Sequence, residues 1–385
     1  HNLSIGIGTF WLPQFREHNQ IGLSSFHEQP PLVFGIQSLF YKLLGDNMYV
    51  ERFYTFLTMC ITAVLIIFLW KEIFRKQENL KKLAWLPLIL WITIPVCFWS
   101  YSNNMHENTM SIFTLCSAIF IYKAFRTEKH QSILLILSGI FIFLASFSKG
   151  IPGFFPIAIP FLHWLTIRDS KLSKALLQTL VIIFVPFVIY LILFLIPERK
   201  ESLSNYLFKR ALHRINEAPT VDNRFYILWR LFTELIPQLG LVLIFVIVVK
   251  LKKIKVLYSK QKQQAVFFIL VGLSASAPLM LTMVQKGFYF VPALPFFAIG
   301  LSVLIAPIVF NLIERINMQS KKYVIFLLLN LSLFIGIVAF AVMQKGKYSK
   351  KKKMHHDVYL IGAYVPEQIT ISIPSEMWNE WDLQC

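Results

Sequence analysis

The ionisable residues at the ends of long apolar blocks are the first candidates for chemistry in this sequence. Such groups are costly next to hydrocarbon and tend to mark function. Two acids each follow a histidine, Glu28 in FHEQPPL and Glu107 in MHENT. Glu28 could contact a substrate or a metal, and Glu107 could hold a sugar hydroxyl or an amine. Both also fit the start of a helix, where a carboxylate faces the positive end of the dipole.

Several cations also stand near the block ends. Lys149 lies in the turn SKGIPG and Lys286 in the turn QKGFYFVP. Lysines often extend from apolar surface into water, but a phosphate ligand would also explain them. Arg210, His213 and Arg214 fall at i, i+3 and i+4 and therefore share one helix face. That face is either a solvated basic surface or a clamp for a lipid phosphate.

The elements that carry these residues are membrane helices. Only 15% of the residues are charged, against about 25% in a typical soluble domain. The apolar residues form blocks of bilayer length. We therefore predict an all-α polytopic membrane protein with about ten transmembrane helices, at 53–70, 83–99, 107–122, 132–147, 151–167, 175–196, 231–249, 265–285, 288–313 and 323–343.

The distribution of Lys and Arg predicts the orientation. The alternate loops around 71–82, 123–129, 168–174, 250–262 and 315–322 are rich in Lys and Arg, whereas the opposite short loops hold only Lys149 and Lys286. The basic loops are therefore expected in the cytoplasm. The net charge of +18 comes largely from these loops, whose Lys and Arg residues can contact anionic lipid head groups. A nucleic-acid partner is therefore not expected.

This orientation divides the chain into three parts. Residues 1–52 form a first periplasmic loop with an interfacial helix at 30–45, and 53–343 form the transmembrane domain with a periplasmic loop at 197–230. Residues 344–385 are expected to begin a C-terminal periplasmic segment, because 368–373 alternate like a strand. We expect the chain to be truncated at both ends, with a spanning helix before residue 1.

Taken in order, the motifs resemble one family. The segments HEQPPLVFGIQSLFYKLLGDNMYVERFYTF, YSNNMHENTMSIFTL, ASFSKGIPGFFPIAIPF and KGFYFVPALPFFAIG are similar to the GT-C transferases related to the lipid A aminoarabinose transferase and the protein mannosyltransferases. In that family an acid precedes Pro-Pro-Leu and an Arg follows in the next span, here Glu28 and Arg52. A Lys-Gly turn matches Lys149, and a basic-aromatic-Pro motif matches Lys286 and Tyr289.

The resemblance implies a multi-pass inner-membrane glycosyltransferase that moves a sugar from a polyprenyl-phosphate donor to a lipid or glycan acceptor on the periplasmic side. The family's catalytic Asp follows its first spanning helix, so we expect it before residue 1 and assign no catalytic residue. Substrate contacts are expected from Glu28, Arg52, Glu107, Lys149, Arg210, Arg214, Lys286 and Tyr289. The sequence establishes no cofactor and leaves a divalent cation open, with Glu28 and either His27 or His213 as its ligands.

Two alternatives remain open. A protein O-mannosyltransferase-like enzyme would use a protein acceptor, and Gln29 stands where the family often has Lys, which leaves donor and acceptor specificity open. A membrane transporter, from a different class, would predict paired or inverted repeats with broken helices in matching positions. We find no such repeat in the sequence.

Overall fold

The structure, a computed structural model, describes residues 1–14, 28–47, 49–213, 219–251, 259–317, 319–343 and 352–365. Regular structure in these residues is helical apart from an isolated bridge between Gly8 and Pro13. The chain divides into two compact units, His1–Glu314 and Arg315–Cys385. We describe each unit by itself.

The first unit contains thirteen helices among its described residues. They are α1 (Leu32–Leu44), α2 (Val50–Ile73), α3 (Glu78–Lys81), α4 (Trp85–Ile92), α5 (Pro95–Ser102), α6 (His106–Ala124), α7 (Gln131–Lys149), α8 (Ile159–Ile167), α9 (Leu172–Phe194), α10 (Pro197–Ser204), α11 (Tyr226–Leu251), α12 (Ser259–Ser276) and α13 (Leu294–Glu314). Shorter 3₁₀ turns precede α8 at Ile151–Ala158 and α13 at Gly287–Ala293.

The chain is a multi-pass membrane protein, but the spans differ from the ten predicted. Among the described residues, seven helices are long and apolar enough to cross a bilayer, and an eighth span results if α3–α4 and α5 are counted together across their 77° bend. The predicted span at 83–99 is therefore broken. Ile94 is extended and Pro95 begins α5, and a proline cannot continue the hydrogen-bond ladder of a helix.

The other two predicted spans are present as helical segments of a different kind. The segment 151–167 is short and starts as a 3₁₀ turn before α8. Helix α6, predicted as 107–122, has 19 residues but is too polar to count as a candidate span. Its polar side chains are buried against neighbours: Ser117 hydrogen-bonds Ser138 of α7 at 2.9 Å, and Thr109 hydrogen-bonds Tyr54 of α2 at 2.5 Å. Because protein surrounds α6, it does not need an apolar surface.

The core of the first unit is built around α13, which packs against α12, α4 and α11. Helix α6 packs against α7 and α2 beside it. The predicted helix at 30–45 is present as α1, and residues 1–14 pack on it through Phe10, whose ring fills the space where Gly35 lacks a side chain. The interfacial position of α1 remains a prediction.

Contacts between helix ends agree with the predicted alternation of the loops. At the ends that the sequence predicts to be cytoplasmic, Arg126 after α6 donates to the backbone oxygens of Glu72 and Ile73 at the end of α2. At the opposite ends, Lys149 of α7 meets Glu107 of α6. We call the second side the outer side, and its identity as the periplasmic side remains a prediction.

The second unit holds α14 (Lys321–Met343) and α15 (Lys352–Tyr364) among its described residues. Helix α14 corresponds to the predicted span at 323–343 and is exposed along its length within its unit. The strand predicted at 368–373 lies outside the described residues.

We predict that Gly139→Ala destabilises the bundle. A Cβ at Gly139 of α7 would lie 2.6 Å from Val185 Cβ and 3.0 Å from the Ile182 backbone oxygen of α9. Helices α7 and α9 would have to separate, at a cost of about 1–3 kcal/mol. The check is the midpoint of thermal unfolding in detergent. Gly336→Ala is the matched control, since nothing lies within 4 Å of that Cβ in the described residues, and equal midpoints for the two variants would contradict the prediction.

Candidate functional site

The outer ends of α6 and α7 bring a buried acid and a buried base together. Helix α6 begins at His106, which places Glu107 in its first turn, and α7 ends at Lys149. The Lys149 ammonium lies 3.1 Å from Glu107 Oε1, and the two side chains are 12% and 1% exposed. An acid in the first turn and a base in the last also complement the helix dipoles. Two separate candidates from the sequence therefore form one ion pair.

Tyr289 adds an aromatic wall to this pair. It belongs to the 3₁₀ turn Gly287–Ala293, and its ring centroid lies 5.9 Å from Lys149 Nζ. The neighbouring Phe288 stacks on Trp99 of α5 with ring centroids 5.5 Å apart. An aromatic face within about 6 Å stabilises an ammonium group. Lys149 is thus held by a carboxylate and an aromatic ring.

The loop between α9 and α11, which we call the outer loop, docks against the same site through Tyr206. This residue lies in a π-helical turn, Asn205–Ala211, and its hydroxyl donates to the Lys149 backbone oxygen at 3.3 Å. Gly150 makes this approach possible. It has a φ of +88°, and a Cβ there would lie 1.5 Å from the Tyr206 hydroxyl oxygen. Only glycine readily adopts that backbone conformation and leaves that space free.

A second ion pair lies in the same loop region. Arg210, one turn after Tyr206, places a guanidinium nitrogen 2.9 Å from Glu28 Oε1, and the two side chains are 32% and 45% exposed. This contact joins the outer loop to the segment that leads into α1. The pair is more accessible to water than Glu107 and Lys149, so its charges are screened more strongly.

Buried acceptor atoms remain open in this region. Glu107 Oε2 and His106 Nδ1 are both buried and accept no hydrogen bond from the described residues. Burial lowers the pKa of His106 to about 3, the charge of Lys149 adds to that effect, and a hydrogen bond with the Ser148 backbone opposes it. The imidazole is therefore neutral at pH 7, and its ring packs edge-on against Phe34 at 4.8 Å. Buried acceptors without donors fit a site that a polar ligand completes.

The remaining predicted residues are placed differently. Arg52 donates to the Ser102 backbone oxygen at the end of α5, so its visible contact is structural. Lys286 is exposed just before the turn that carries Tyr289. Arg214 lies outside the described residues. Among the predicted site residues, Glu28 thus pairs with Arg210, and Lys149 pairs with Glu107 and lies near the Tyr289 ring.

The predicted metal ligands Glu28 and His213 do not fit a metal centre in the described part of the chain, and His27 lies outside it. No group of three or more His, Cys, Asp or Glu side chains comes together there. Glu28 is also in contact with a guanidinium group, and a metal would have to displace it. We therefore derive no step that depends on a metal.

Tyr206 and His106 also lie beside Lys149, although the sequence did not predict them as site residues. Tyr206 lies four residues before Arg210 and on nearly the same face of the loop helix, which is a signal that sequence could have used. His106 precedes Glu107 directly. Its position beside Glu107 and Lys149 depends on how α1 and α7 pack around it.

We predict that Gly150→Ala disrupts the docking of the outer loop. The new methyl group would occupy the position of the Tyr206 hydroxyl and would force a side chain into a left-handed backbone conformation. We expect faster proteolysis of the loop containing 205–213, by about tenfold. Gly45→Ala, with a φ of +80° and nothing within 4 Å in the described residues, controls for backbone strain alone. Equal cleavage of the two variants would contradict the docking.

Comparison with known proteins gives a family and a fold. Residues 28–193 match the family described as dolichyl-phosphate-mannose-protein mannosyltransferase. No curated protein sequence matches the chain significantly. Two solved structures of ArnT from Cupriavidus metallidurans are similar, one bound to undecaprenyl phosphate (TM-score 0.52, 15% identity, 80% of this chain and 54% of that one) and one in the apo state (TM-score 0.53, 14% identity, 88% and 58%).

The chain spans little more than half the length of these solved structures. At this level of identity, the likeness to them concerns the fold. Together with the family match over residues 28–193, this likeness confirms the resemblance that the sequence indicated. The chain is thus a multi-pass membrane protein with an ArnT-like GT-C fold, and its residues 28–193 match the model of the dolichyl-phosphate-mannose-protein mannosyltransferase family.

Proposed function

We propose that this chain acts as a membrane glycosyltransferase that moves a sugar from a polyprenyl-phosphate donor to a lipid or glycan acceptor at the periplasmic face of the inner membrane. The single observation that carries the proposal is the buried pair of Glu107 and Lys149, placed at the outer helix ends of a GT-C fold. The comparisons support it, since one similar structure is that of an ArnT bound to undecaprenyl phosphate.

The charge change in such a reaction requires a fixed cation. A sugar joined to polyprenyl phosphate through a phosphodiester carries one negative charge, and the released phosphate monoester carries a second. A cation placed at the leaving oxygen therefore interacts more strongly with the transition state than with the bound donor. Lys149 suits this role, because its ammonium is already desolvated and oriented by Glu107 and Tyr289. Arg210 and the exposed Lys286 are the further candidates for phosphate contact.

The acids suit the uncharged parts of the substrates. Glu107 uses one oxygen on Lys149, and Oε2 is buried and open in the described structure. A sugar hydroxyl that donates to Oε2 would satisfy it and would fix the donor relative to Lys149. Glu28, nearer to the surface beside Arg210, suits an acceptor. We assign the carboxylate that activates the acceptor to neither residue, and we expect the polyprenyl chain to lie against apolar helix surface open to lipid.

The alternatives differ in what they transfer or move. A protein O-mannosyltransferase-like enzyme would use the same donor chemistry with a protein acceptor. The name of the family that residues 28–193 match supports this alternative. A transporter would carry a solute without breaking a glycosidic bond. Supplying labelled donor with lipid, glycan or peptide acceptors therefore separates all three.

We predict that Lys149→Ala lowers sugar transfer from labelled polyprenyl-phosphate sugar by about 100-fold or more in membranes, because the leaving phosphate loses its fixed cation. Lys174→Ala is the matched control, since Lys174 pairs with Glu128 at 4.0 Å on the cytoplasmic side and is exposed. Lys286→Ala should reduce transfer less, because that side chain is in water. Transfer by Lys149→Ala at the unmodified rate would remove Lys149 from the site.

We predict opposite effects of Glu107→Gln on binding and on turnover. The change removes a negative charge next to Lys149, so undecaprenyl phosphate should bind more tightly, by about tenfold. Transfer should become slower at saturating donor because the sugar loses a charged acceptor. Glu128→Gln on the cytoplasmic side is the control. The measurements are a binding titration and a kcat, and weaker binding with unchanged kcat would argue for a purely structural Glu107.

A further inference from the structure

The broken span of α4 and α5 is held by one neighbouring helix. The backbone between the two helices is irregular at Ile94, and Pro95 has no N–H to continue the ladder. Irregular backbone at membrane depth is tolerated only where protein or water satisfies its polar groups. The side chain of Ile94, which stands at the N-cap of α5, offers no acceptor. The acceptor has to come from elsewhere in the fold.

Glu234 of α11 supplies that acceptor. Its Oε2 accepts a hydrogen bond from the Val96 N–H at 2.8 Å, in the first turn of α5, and its Oε1 accepts from Arg230 at 2.6 Å. The Glu234 side chain is 5% exposed. A buried carboxylate is costly unless its oxygens are satisfied, and here both are. A leucine of similar size would avoid that cost but would leave the Val96 N–H unpaired.

Gln238, one turn further along α11, holds the other side of the break. Its amide nitrogen donates to the Leu90 backbone oxygen and to the Thr93 hydroxyl, both at 3.2 Å. That carbonyl lies in the last turn of α4. Glu234 and Gln238 therefore satisfy the start of α5 and the end of α4 from a single helix, and the bend of 77° is fixed between them.

Helix α5 in turn contacts both sides of the candidate site. Trp99 stacks on Phe288, which precedes Tyr289. Ser100 donates to the Asn108 side chain at 2.6 Å, and the Asn108 amide nitrogen donates back to the Ser100 backbone oxygen at 3.0 Å. Asn108 directly follows Glu107. The direction of α5 thus sets the position of the Tyr289 turn and of the start of α6 at once.

We propose that Glu234 is a positioning residue for the sugar-transfer site, assisted by Gln238, and that it acts through α5 on Tyr289 and Glu107. This inference rests on the proposed function for its effect on transfer. Its structural part does not. Glu234 orients the elements on either side of Lys149 by fixing the break, and displacement by about 1 Å at a site can lower a rate by about 100-fold.

The first test is hydrogen exchange of the whole protein in membranes, which needs no activity. In Glu234→Leu, exchange should become at least about fivefold faster in 95–102 and should also rise in 287–293 and 106–110. Glu234→Gln keeps an oxygen for the Val96 N–H and should stay close to the unmodified protein. Thr233→Val is the matched control on α11, because the Thr233 hydroxyl donates only to Arg230 within its own helix in the described structure. Unchanged exchange in 287–293 and 106–110 would overturn the proposal.

The second test is sugar transfer by the same variants. Glu234→Leu should lower kcat by about 10- to 100-fold, with kcat restored to within about threefold by Glu234→Gln. If Glu234→Leu does not fold, Gln238→Leu replaces it and should act in the same direction. Faster exchange at the site with unchanged kcat would also overturn the positioning role. If the unmodified protein transfers no sugar while exchange responds as expected, the proposed function fails and the structural link through α5 stands.

Discussion

Glu107 and Lys149 form an ion pair where little water reaches either side chain, since the two are 1% and 12% exposed. Removing an ion from water costs several kcal/mol even after the protein relaxes, and the Glu107 carboxylate is 1% exposed. The pair is tolerable because α6 starts and α7 ends at the same level of the bundle, which adds two favourable dipole interactions. The other features of the site surround this contact: Tyr289 covers the ammonium, Tyr206 docks on the same turn, and His106 is held neutral beside it.

A second constraint explains why irregular backbone gathers near these charges. Backbone polar groups at membrane depth must be satisfied by protein, so every break in a helix needs a partner. The chain breaks at Pro95 and at Gly150, and both breaks lie near the candidate site. The first is satisfied by Glu234 and Gln238, and the second creates the space into which Tyr206 fits. Polar side chains inside this bundle thus shape the helices that carry the candidate site.

These two constraints assign different tasks to the buried polar residues. Glu107 keeps an oxygen open, as expected of a group that receives a ligand, whereas both oxygens of Glu234 are occupied by protein donors. The Lys149 ammonium lies beside the Glu107 carboxylate and the Tyr289 ring, whereas the Arg126 guanidinium donates to backbone oxygens at the end of α2. Burial alone therefore does not distinguish a ligand-binding carboxylate from a structural one. The difference lies in whether each carboxylate oxygen already has a protein donor.

The sequence by itself determined the membrane character, the alternation of the loops and the list of outer charges, because apolar block length and the distribution of Lys and Arg are local properties. It also carried the resemblance that the family match and the fold comparison confirmed. It overestimated the number and regularity of the spans, since the broken segment 83–99 has the composition of an ordinary span when its neighbours are ignored, and α6 was counted although it is too polar for a candidate span. Only the tertiary structure decided that Lys149 pairs with Glu107, that Arg210 pairs with Glu28 and that Glu234 holds α5. Such pairings depend on which helix ends meet in space, and no spacing along the chain records that.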